Sequence, residues 1–250
     1  MRRFEGRVAI VSGGLGDIGW AIAQAFARGG AHVALGDLHD EGTEAVAEIE
    51  ALDVGARYDR IDVSDHAAVC GWYDAVTDDL GLPSIIVPNA AVVRSGSWAS
   101  ITPDDWRRQL EVNLSGAFFT AQEGARRLIE AGEAGRIVFV GSWAADRPDA
   151  AIIPYCVSKA GLRMLMRCLA KELAPHDILV NEVAPGFVDA GVSANIFRER
   201  PGAREACVER APVARLIEVD EVAAQVLHLC DPANRHMAGS TLLMDGGNSL

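Results

Sequence analysis

A glycine-rich turn near the start of the chain constrains the fold more than any other segment. The short apolar run Val8–Val11 leads into it, and an amphipathic pattern follows over Trp20–Arg28. A strand, a glycine turn and a helix in this order are what a dinucleotide-binding turn requires. Glycines let the backbone approach a pyrophosphate closely, and the helix N-terminus offers free N–H groups to that anion. The alternative is a tight loop that is merely rich in glycine. The turn reads Ser12-Gly13-Gly14-Leu15-Gly16-Asp17-Ile18-Gly19.

Short apolar, β-branched runs alternate with longer amphipathic stretches along the chain. Continuous hydrophobicity is typical of strands covered on both faces, and strands separated by helices favour a parallel sheet. We find no internal repeat, low-complexity tract or linker. The sequence therefore predicts one α/β domain over residues 1–250, a Rossmann-type doubly wound parallel sheet of about seven strands with helices on both faces. The runs are Val8–Val11, His32–Leu35, Ser84–Val87, Arg136–Val140, Ile178–Val183 and Thr241–Met244, with a weaker one at Tyr58–Asp62.

Two long helices are predicted in detail. One begins at Thr102–Asp105, where Thr can cap, Pro fits the first turn and the acids suit the helix dipole, and it runs to about Ala131. The other spans about Tyr155–Ala174 and stops before Pro175. Its apolar residues over Met164–Leu169 lie on more than one face, so it needs cover beyond its own sheet. A partner subunit is a plausible source of that cover, which favours a homo-oligomer.

Composition excludes several classes of partner and site. The net charge of −12 argues against nucleic acid or an anionic membrane as a partner. The five cysteines form no C-x-x-C pair and are odd in number, which indicates a reduced, intracellular protein, and we expect a cytoplasmic one. The six histidines are scattered, so no metal is expected. Arg2 and Arg3 are followed at once by a strand pattern, so we expect no signal peptide, and no apolar run is long enough to span a bilayer.

An acid ends the second predicted strand. Asp37, in Gly36-Asp37-Leu38, lies 18 residues after Gly19. Dinucleotide folds place there the carboxylate that accepts hydrogen bonds from the adenosine ribose hydroxyls. A carboxylate at this position repels a 2′-phosphate, so we expect NAD in preference to NADP. The alternative is that Asp37 only caps the next helix.

Six motifs in order along the chain resemble the short-chain dehydrogenase/reductase family over essentially the whole length. Ser12, Gly13 and Gly19 match its turn T-G-x-x-x-G-x-G. The other matches are Asp62-Val63 for the adenine contact, Asn89-Ala90-Ala91 for N-A-G, the catalytic residues Asn113, Ser142, Tyr155 and Lys159, the turn Pro185-Gly186, and Asp245-Gly246-Gly247 near the C-terminus. The cofactor-binding residues that the turn, Asp37 and the resemblance together imply are Ser12, Gly13, Asp17, Ile18, Gly19, Asp37, Leu38, Asp62, Val63, Asn89, Ala90, Tyr155, Lys159, Pro185, Gly186 and Val188.

The spacing of Tyr155 and Lys159 predicts their chemistry. Residues four apart share a helix face. A free phenol, with a pKa near 10, is a poor base at neutral pH, but a nearby ammonium favours the phenolate. Tyr155 could then take the alcohol proton while hydride leaves for a nicotinamide, and return a proton in reduction. An ordinary helix with a surface Lys is the alternative. The resemblance also implies that Lys159 hydrogen-bonds the nicotinamide ribose.

Two further catalytic assignments depend on the resemblance. Ser142 follows the strand Arg136–Val140, at the end where open α/β sheets keep their sites, and its hydroxyl could orient the substrate oxygen toward Tyr155. Asn113 lies inside a predicted helix, where Asn is unfavourable. It could simply bond a backbone carbonyl, whereas the resemblance implies that it holds a water that relays protons from Lys159.

The chain departs from the family pattern at three positions, and its substrate side is less defined. Asp17 stands at a usual glycine, Ala91 replaces the last glycine of N-A-G, and Ala190 stands where many members have a Thr that binds the nicotinamide amide. The resemblance places a substrate lid near residues 190–216, which include Ile196, Phe197, Pro201 and five arginines. Trp143 and Trp98 could either wall the pocket or serve only in packing. The substrate, a small-molecule alcohol or ketone, could be a sugar or polyol, a hydroxyacyl compound or a steroid-like alcohol, and we favour a small polar alcohol or sugar.

The sequence therefore predicts an NAD-dependent oxidoreductase that forms a homo-oligomer, for which the resemblance implies a tetramer and a dimer is the alternative. Two other classes share part of its pattern. A catalytically silent NAD-binding scaffold or sensor would keep the glycine turn and Asp37 but has no use for the Tyr155–Lys159 pair. A methyltransferase also has a glycine turn and an acid ending its second strand, but Asp245-Gly246-Gly247 and the Tyr–Lys pair have no role there.

Overall fold

Seven parallel strands form one sheet in the part of the chain that the computed structural model describes, residues 2–191, 193, 194, 197 and 201–250. They are β1 (Val8–Ser12), β2 (His32–Asp37), β3 (Ala56–Arg60), β4 (Ile85–Val87), β5 (Gly135–Val140), β6 (Ile178–Pro185) and β7 (Thr241–Met244). Their order is β3-β2-β1-β4-β5-β6-β7, and every neighbouring pair is parallel. The predicted doubly wound sheet is confirmed.

Helices cover both faces of the sheet. They are α1 (Asp17–Arg28), α2 (Thr43–Glu50), α3 (His66–Leu80), α4 (Pro103–Leu110), α5 (Ala117–Ala131), α6 (Ile153–Leu173), α7 (Ala203–Arg210) and α8 (Val219–Cys230). A π-helical segment, Glu111–Gly116, joins α4 to α5, and short 3-10 turns span Trp143–Ala145 and Ala174–His176.

The alternation of side chains along each strand divides the core in two. Ala9 and Val11 of β1 pack with α1 and α8 on one face, while Val8 and Ile10 pack with α3, α5 and α6 on the other. All of these strand residues are buried. Burial on both faces explains why the strands read as continuous apolar runs.

The predicted boundaries hold to within three residues, and the one strand that is displaced at both ends has a physical cause. The weak run predicted at Tyr58–Asp62 is wrong by two residues, because β3 is a polar edge strand in which Arg57 pairs with Asp59 at 2.7 Å. The predicted capping at Thr102 is confirmed: its hydroxyl accepts from the Asp105 N–H at 3.1 Å, and the Asp105 carboxylate accepts in return. Helix α6 begins two residues before Tyr155 and ends before Pro175, as predicted.

The region predicted as a substrate lid is described in part. Residues 203–210 form α7, and Val188 and Ile217 form an isolated bridge on either side of the region. Val192, Asn195, Ile196 and residues 198–200 lie outside the described residues, so the lid remains a prediction.

The strand order places the polar motifs along one edge of the sheet. The order reverses between β1 and β4, which lie side by side in the centre. Ligands of open α/β sheets bind beyond the carboxyl ends of the strands at such a reversal. Ser12 ends β1, Asn89 follows β4, Ser142 follows β5 and Pro185 ends β6.

Candidate active site

The glycine turn closes against the loop that follows β4. Gly13 has φ +65°, and a Cβ added to it would lie 2.8 Å from the Cα of Ala90. A Cβ at Gly19 would lie 2.1 Å from the carbonyl oxygen of Gly13. Side chains at these two positions would push the turn away from its neighbours, so only glycine keeps the backbone exposed for a ligand.

Ser12 and Asn89 fix this contact by hydrogen bonds. The Ser12 hydroxyl accepts from the backbone N–H groups of Asn89 and Ala90, at 3.0 and 3.2 Å. The Asn89 side chain donates to the carbonyls of Ser12 and Gly13, both at 3.0 Å. These two predicted cofactor-binding residues therefore hold the turn in shape.

The carboxylate of Asp37 faces the glycine turn. One oxygen accepts from the Leu15 N–H at 3.1 Å and the other from the Leu38 N–H at 2.7 Å. Asp37 does not cap the next helix, because α2 begins at Thr43 with Gly42 at its N-cap. A carboxylate has acceptor capacity beyond two hydrogen bonds, so ribose hydroxyls could still bind it.

Asp62 and Val63, the predicted adenine contacts, lie in the loop after β3. Asp62 accepts from the Ser64 N–H and hydroxyl at 2.9 and 2.6 Å and pairs with Arg108 at 3.0 Å. Partial burial acts to raise the pKa of Asp62, but the hydrogen bonds from Ser64 and Arg108 outweigh it and lower the pKa. Arg108 lies in α4, and no local sequence pattern indicates this pairing.

Ser142, Tyr155 and Lys159 lie together in the buried end of the site. All three are at most 8% exposed. The Lys159 ammonium donates to the carbonyl of Val140 at 2.8 Å and lies 5.6 Å from the centre of the Tyr155 ring. Ser142 begins the 3-10 turn after β5, and its hydroxyl accepts from the Ala144 N–H at 3.1 Å. The predicted Tyr–Lys proximity is thus present.

Burial moves both pKa values toward the neutral forms. It raises the pKa of Tyr155 to about 12, and hydrogen bonding with the Ser142 hydroxyl opposes part of that rise. It lowers the pKa of Lys159 to about 8, against the opposing effect of the Glu182 carboxylate. The sequence predicted a pKa of Tyr155 lowered by the ammonium. Burial is instead the largest effect on both groups, because it removes the charged form of each from water.

Asn113 lies in the π-helical segment and binds the loop after β4. Its side chain accepts from the Val92 N–H at 2.8 Å and donates to the Val92 carbonyl at 2.9 Å and the Ser158 hydroxyl at 3.1 Å. The Asn113 side chain is therefore hydrogen-bonded to the backbone, as in the alternative given above, and this does not exclude a further hydrogen bond to water. Single π-helical turns inside α-helices are frequent at functional sites.

A buried ion pair beneath the site was not predicted. Arg163 of α6 donates to Glu182 of β6 at 2.7 Å and to the carbonyl of Ser142 at 3.0 Å. Glu182 is fully buried and also accepts from the Thr241 hydroxyl at 2.7 Å. Nothing in the spacing of residues 163 and 182 indicated a pairing, because it depends on how α6 lies across the sheet.

A cavity of about 370 Å³ joins the glycine turn to the buried cluster. Trp143 lines it, whereas Trp98 is 83% exposed and lies outside its lining. Ala91 and Ala190, two departures from the family pattern, also line it. The predicted site residues in its lining are Gly13, Asp17, Ile18, Gly19, Asn89, Ala90, Ser142, Tyr155, Lys159, Pro185, Gly186 and Val188. The predicted residues outside it are Ser12, Asp37, Leu38, Asp62, Val63 and Asn113.

Asp17, the third departure, turns its side chain across the cleft. Its carboxylate accepts from the Gly191 N–H at 2.7 Å, beyond the end of β6. Its own backbone lies in the first turn of α1, where a negative charge suits the helix dipole. The contact with Gly191 holds this carboxylate on the β6 side of the cleft.

Three possible metal ligands lie outside this site. Ligand atoms of His66, Cys70 and Glu123 lie within 4.8 Å of one another. The Glu123 carboxylate already binds Arg126 at 2.6 Å and Arg127 at 2.8 Å. Because this carboxylate is already paired with two guanidinium groups, it is a poor ligand for a cation, and we assign no metal here.

Comparison with known proteins agrees with the class that fold and site define, a dinucleotide-binding oxidoreductase. A family model described as enoyl-(acyl carrier protein) reductase matches residues 14–249. The chain is 35% identical to D-threitol dehydrogenase of Mycolicibacterium smegmatis over 249 residues, 99% of this chain and 95% of that protein.

Solved structures agree at the level of the fold. A short-chain type dehydrogenase/reductase from Mycobacterium marinum superposes with a TM-score of 0.93 at 30% identity, covering 98% of this chain and 96% of the other. A gluconate 5-dehydrogenase from Burkholderia cenocepacia, solved with NADP and tartrate, gives 0.92 at 29% identity, covering 99% and 98%.

The chain belongs to the short-chain dehydrogenase/reductase family. It is accordingly an oxidoreductase of a family that binds a nicotinamide cofactor and whose members similar to it include alcohol and polyol dehydrogenases. None of the helices in the described part of the chain has the length and apolar character that a bilayer span requires.

Proposed function

We propose that the chain is an NAD-dependent oxidoreductase of one domain that interconverts a secondary alcohol and its ketone, with Tyr155 as general acid and base. The observation that carries this proposal is the cavity itself. It begins at the glycine turn and ends at Ser142, Tyr155 and Lys159, so a cofactor and a reacting oxygen could share one enclosed space.

The residues present fit a dinucleotide. Gly13 and Gly19 leave the turn free of side chains, and the first turn of α1 directs backbone N–H groups toward it. Gly186 also leaves the backbone free of a side chain beside this turn, since a Cβ there would lie 2.8 Å from the Cα of Asp245. Asp37 would receive the adenosine ribose, with Leu38, Asp62 and Val63 beside it. The remaining predicted contacts are Ser12, Asp17, Ile18, Asn89, Ala90, Pro185 and Val188.

A nicotinamide held between the glycine turn and Lys159 would supply the hydride acceptor for oxidation and the hydride donor for reduction. The Tyr155 phenol oxygen takes the proton of the substrate hydroxyl in oxidation and donates it in reduction. The Ser142 hydroxyl orients the substrate oxygen by a hydrogen bond. The Lys159 ammonium stabilises the phenolate and binds the nicotinamide ribose. Asn113 would hold the water that relays protons from Lys159, the role that the family resemblance implies.

NAD is proposed in preference to NADP because of Asp37. The Asp37 carboxylate, with one oxygen bound to the Leu15 N–H of the turn and the other to the Leu38 N–H, would repel a 2′-phosphate at close range. A similar protein, the gluconate 5-dehydrogenase from Burkholderia cenocepacia, was solved with NADP. Asp37 is therefore the residue on which this part of the proposal depends.

The substrate is proposed to be a small polyol or sugar derivative. The cavity of about 370 Å³ must hold part of the cofactor as well, which favours a small molecule over a steroid-like one. The similarity to a threitol dehydrogenase supports the same choice.

The assembly is proposed to be a homo-oligomer, a dimer or tetramer, in the cytoplasm. Val157 and Met164 on α6 are 44% and 57% exposed, so this helix presents apolar side chains without cover from its own chain. The five cysteines are free, as suits a reducing compartment.

Substituting Tyr155 tests the proposal. Tyr155→Phe removes only the phenol oxygen, and we expect kcat to fall about 10²–10⁴-fold while the dissociation constant for NAD, from isothermal titration, changes little. Tyr73→Phe is the matched control, because Tyr73 is equally buried and bonds only the Thr120 carbonyl outside the site. Equal turnover by the two variants would contradict the assignment. NAD binding without turnover of any alcohol or ketone by the parent would instead favour the silent scaffold.

A further inference from the structure

The far wall of the cavity carries a cation above two aromatic rings. The guanidinium carbon of Arg210, at the end of α7, lies 5.3 Å from the centre of the Trp143 ring and 5.1 Å from that of Phe187. The rings themselves meet edge to face at 5.1 Å. All three residues line the cavity that contains Ser142 and Tyr155.

Among the described residues, the Arg210 guanidinium donates no hydrogen bond to a protein acceptor, so its N–H donors are available to a ligand. A guanidinium in cation–π contact keeps its five N–H donors, which are arranged as a planar fork. That fork matches the two oxygens of a carboxylate. Trp143 follows Ser142 directly in sequence. The two rings that contact Arg210 therefore lie on the same wall of the cavity as the Ser142 hydroxyl, which would orient the reacting oxygen.

Neighbouring arginines differ in their pairing. Arg204, one helix face away, pairs with Asp189, and Arg215 pairs with Glu221 at 2.6 Å. Among the described residues, no carboxylate lies within ion-pair distance of Arg210. The Trp143 and Phe187 rings are contacts that the described residues supply to its guanidinium.

An acceptor lines the same cavity. Asp149 is half-buried, and one of its carboxylate oxygens accepts from the Ala151 N–H at 2.9 Å, which leaves further lone pairs for substrate hydroxyls. Arg210 and Asp149 both act on the pKa of the Cys207 thiol, which burial raises, the first lowering it and the second raising it. A donor for an anion and an acceptor for hydroxyls thus lie on one side of the cavity.

From this arrangement we infer that the substrate is a small polyhydroxy acid whose carboxylate binds Arg210 while its reacting hydroxyl meets Ser142 and Tyr155. The inference rests on the proposed function and adds the charge of the substrate to it. Arg210 is a specificity-determining residue in this assignment, since it binds a group remote from the reacting carbon.

Pairs of substrates that differ only in the carboxylate test the inference. An aldonate and the alditol of the same chain length and configuration, such as threonate with threitol and gluconate with glucitol, are compared by NADH formation. We expect the parent to have the higher kcat/KM for the acid of at least one pair. Arg210→Gln should lose about 10- to 100-fold in kcat/KM for that acid, mainly through KM, and under about threefold for the alditol. Arg210→Lys should recover part of the loss.

Arg204→Gln is the matched control, because Arg204 lies on the same helix outside the cavity. We expect this variant to change kcat/KM for neither substrate. Succinate, which has no hydroxyl to oxidise, gives a second measurement: it should inhibit alditol oxidation competitively in the parent and about tenfold more weakly in Arg210→Gln. Equal preference for acid and alditol, or equal loss for both in Arg210→Gln, overturns the inference and leaves the proposed function standing. A parent that binds NAD and oxidises no member of any pair or any other alcohol contradicts both.

Discussion

A methyl group added at Gly141 is expected to disrupt the ion pair beneath the site. An ideally placed Cβ at Gly141 lies 1.8 Å from Oε1 and 2.6 Å from Cδ of Glu182. Glu182 has no room to swing aside, because it is fully buried and its carboxylate is held at 2.7 Å by both Arg163 and Thr241. The added methyl therefore displaces the buried carboxylate partner of Arg163, whose other partner, Asp146, has a side chain that is 62% exposed.

The expected cost follows from two effects. Overpacking a filled core costs about 1–3 kcal/mol, and losing one partner of a buried ion pair costs about 3–5 kcal/mol. Because displacement weakens the pair without removing either charge, we expect Gly141→Ala to lower the free energy of unfolding by about 3 kcal/mol. For a chain of this size the melting temperature falls about 2–4 °C per kcal/mol, which gives a decrease of about 6–12 °C.

Thermal unfolding followed by circular dichroism measures this change, and Gly71→Ala is the matched control. Gly71 lies in the exposed face of α3, and a Cβ there would meet nothing within 4 Å. Alanine at that position should raise stability by about 0.5–1 kcal/mol, since glycine is unfavourable inside a helix.

A double-mutant cycle separates the clash from other effects of the methyl group. In a Glu182→Ala background the carboxylate is gone, so adding Gly141→Ala should cost less than about 0.5 kcal/mol. A melting temperature of Gly141→Ala equal to that of the parent, or an equal cost with and without Glu182, would refute this reasoning.

Two other predictions concern charges at the site. Asp37→Ala should lower the ratio of kcat/KM for NAD over that for NADP about tenfold or more. Asp40 is an exposed acid nearby that pairs with Arg60, and Asp40→Ala should leave the ratio unchanged. An unaltered ratio in Asp37→Ala would mean that this carboxylate does not select the cofactor. Lys159→Met should abolish turnover yet stabilise the fold at neutral pH, because a pKa lowered from 10.5 to about 8 corresponds to a penalty of about 3 kcal/mol for the buried ammonium. That penalty is complete below pH 8 and vanishes as the pH rises to 10.5, so the stability advantage measured by denaturant unfolding should shrink over that interval; an advantage that does not vary with pH would contradict the stated cause.

The parts of the structure that the sequence predicted are those governed by local pattern. Burial on both faces makes β1 a continuous apolar run, and the glycine turn follows it directly, so both could be located without coordinates. The Tyr155–Lys159 pair was accessible for the same reason, since helical spacing alone places the two side chains on one face. In β3, Arg57 and Asp59 interrupt the apolar pattern, and the predicted bounds of the strand were wrong by two residues.

The parts that could not be predicted depend on contacts between distant segments. The pairing of Arg163 with Glu182 and the contact of Asp17 with Gly191 both join residues that nothing in the local pattern relates. The π-helical turn around Asn113 was also hidden, because one extra residue in a turn leaves the apolar periodicity of α4 and α5 nearly intact.

The pKa of Tyr155 depends both on the local sequence pattern and on contacts between distant segments. The pairwise argument from sequence considers only the ammonium and predicts a more acidic phenol, whereas burial, which only the fold determines, raises the pKa to about 12. Burial lowers the pKa of Lys159 as well, and the Glu182 carboxylate opposes that change. A second layer of buried charge, Arg163 with Glu182, thus supports the ammonium and the carbonyl of Ser142 together. Activity at neutral pH should therefore depend on this pair as well as on the residues that touch the substrate, because a neutral Lys159 could no longer stabilise the phenolate.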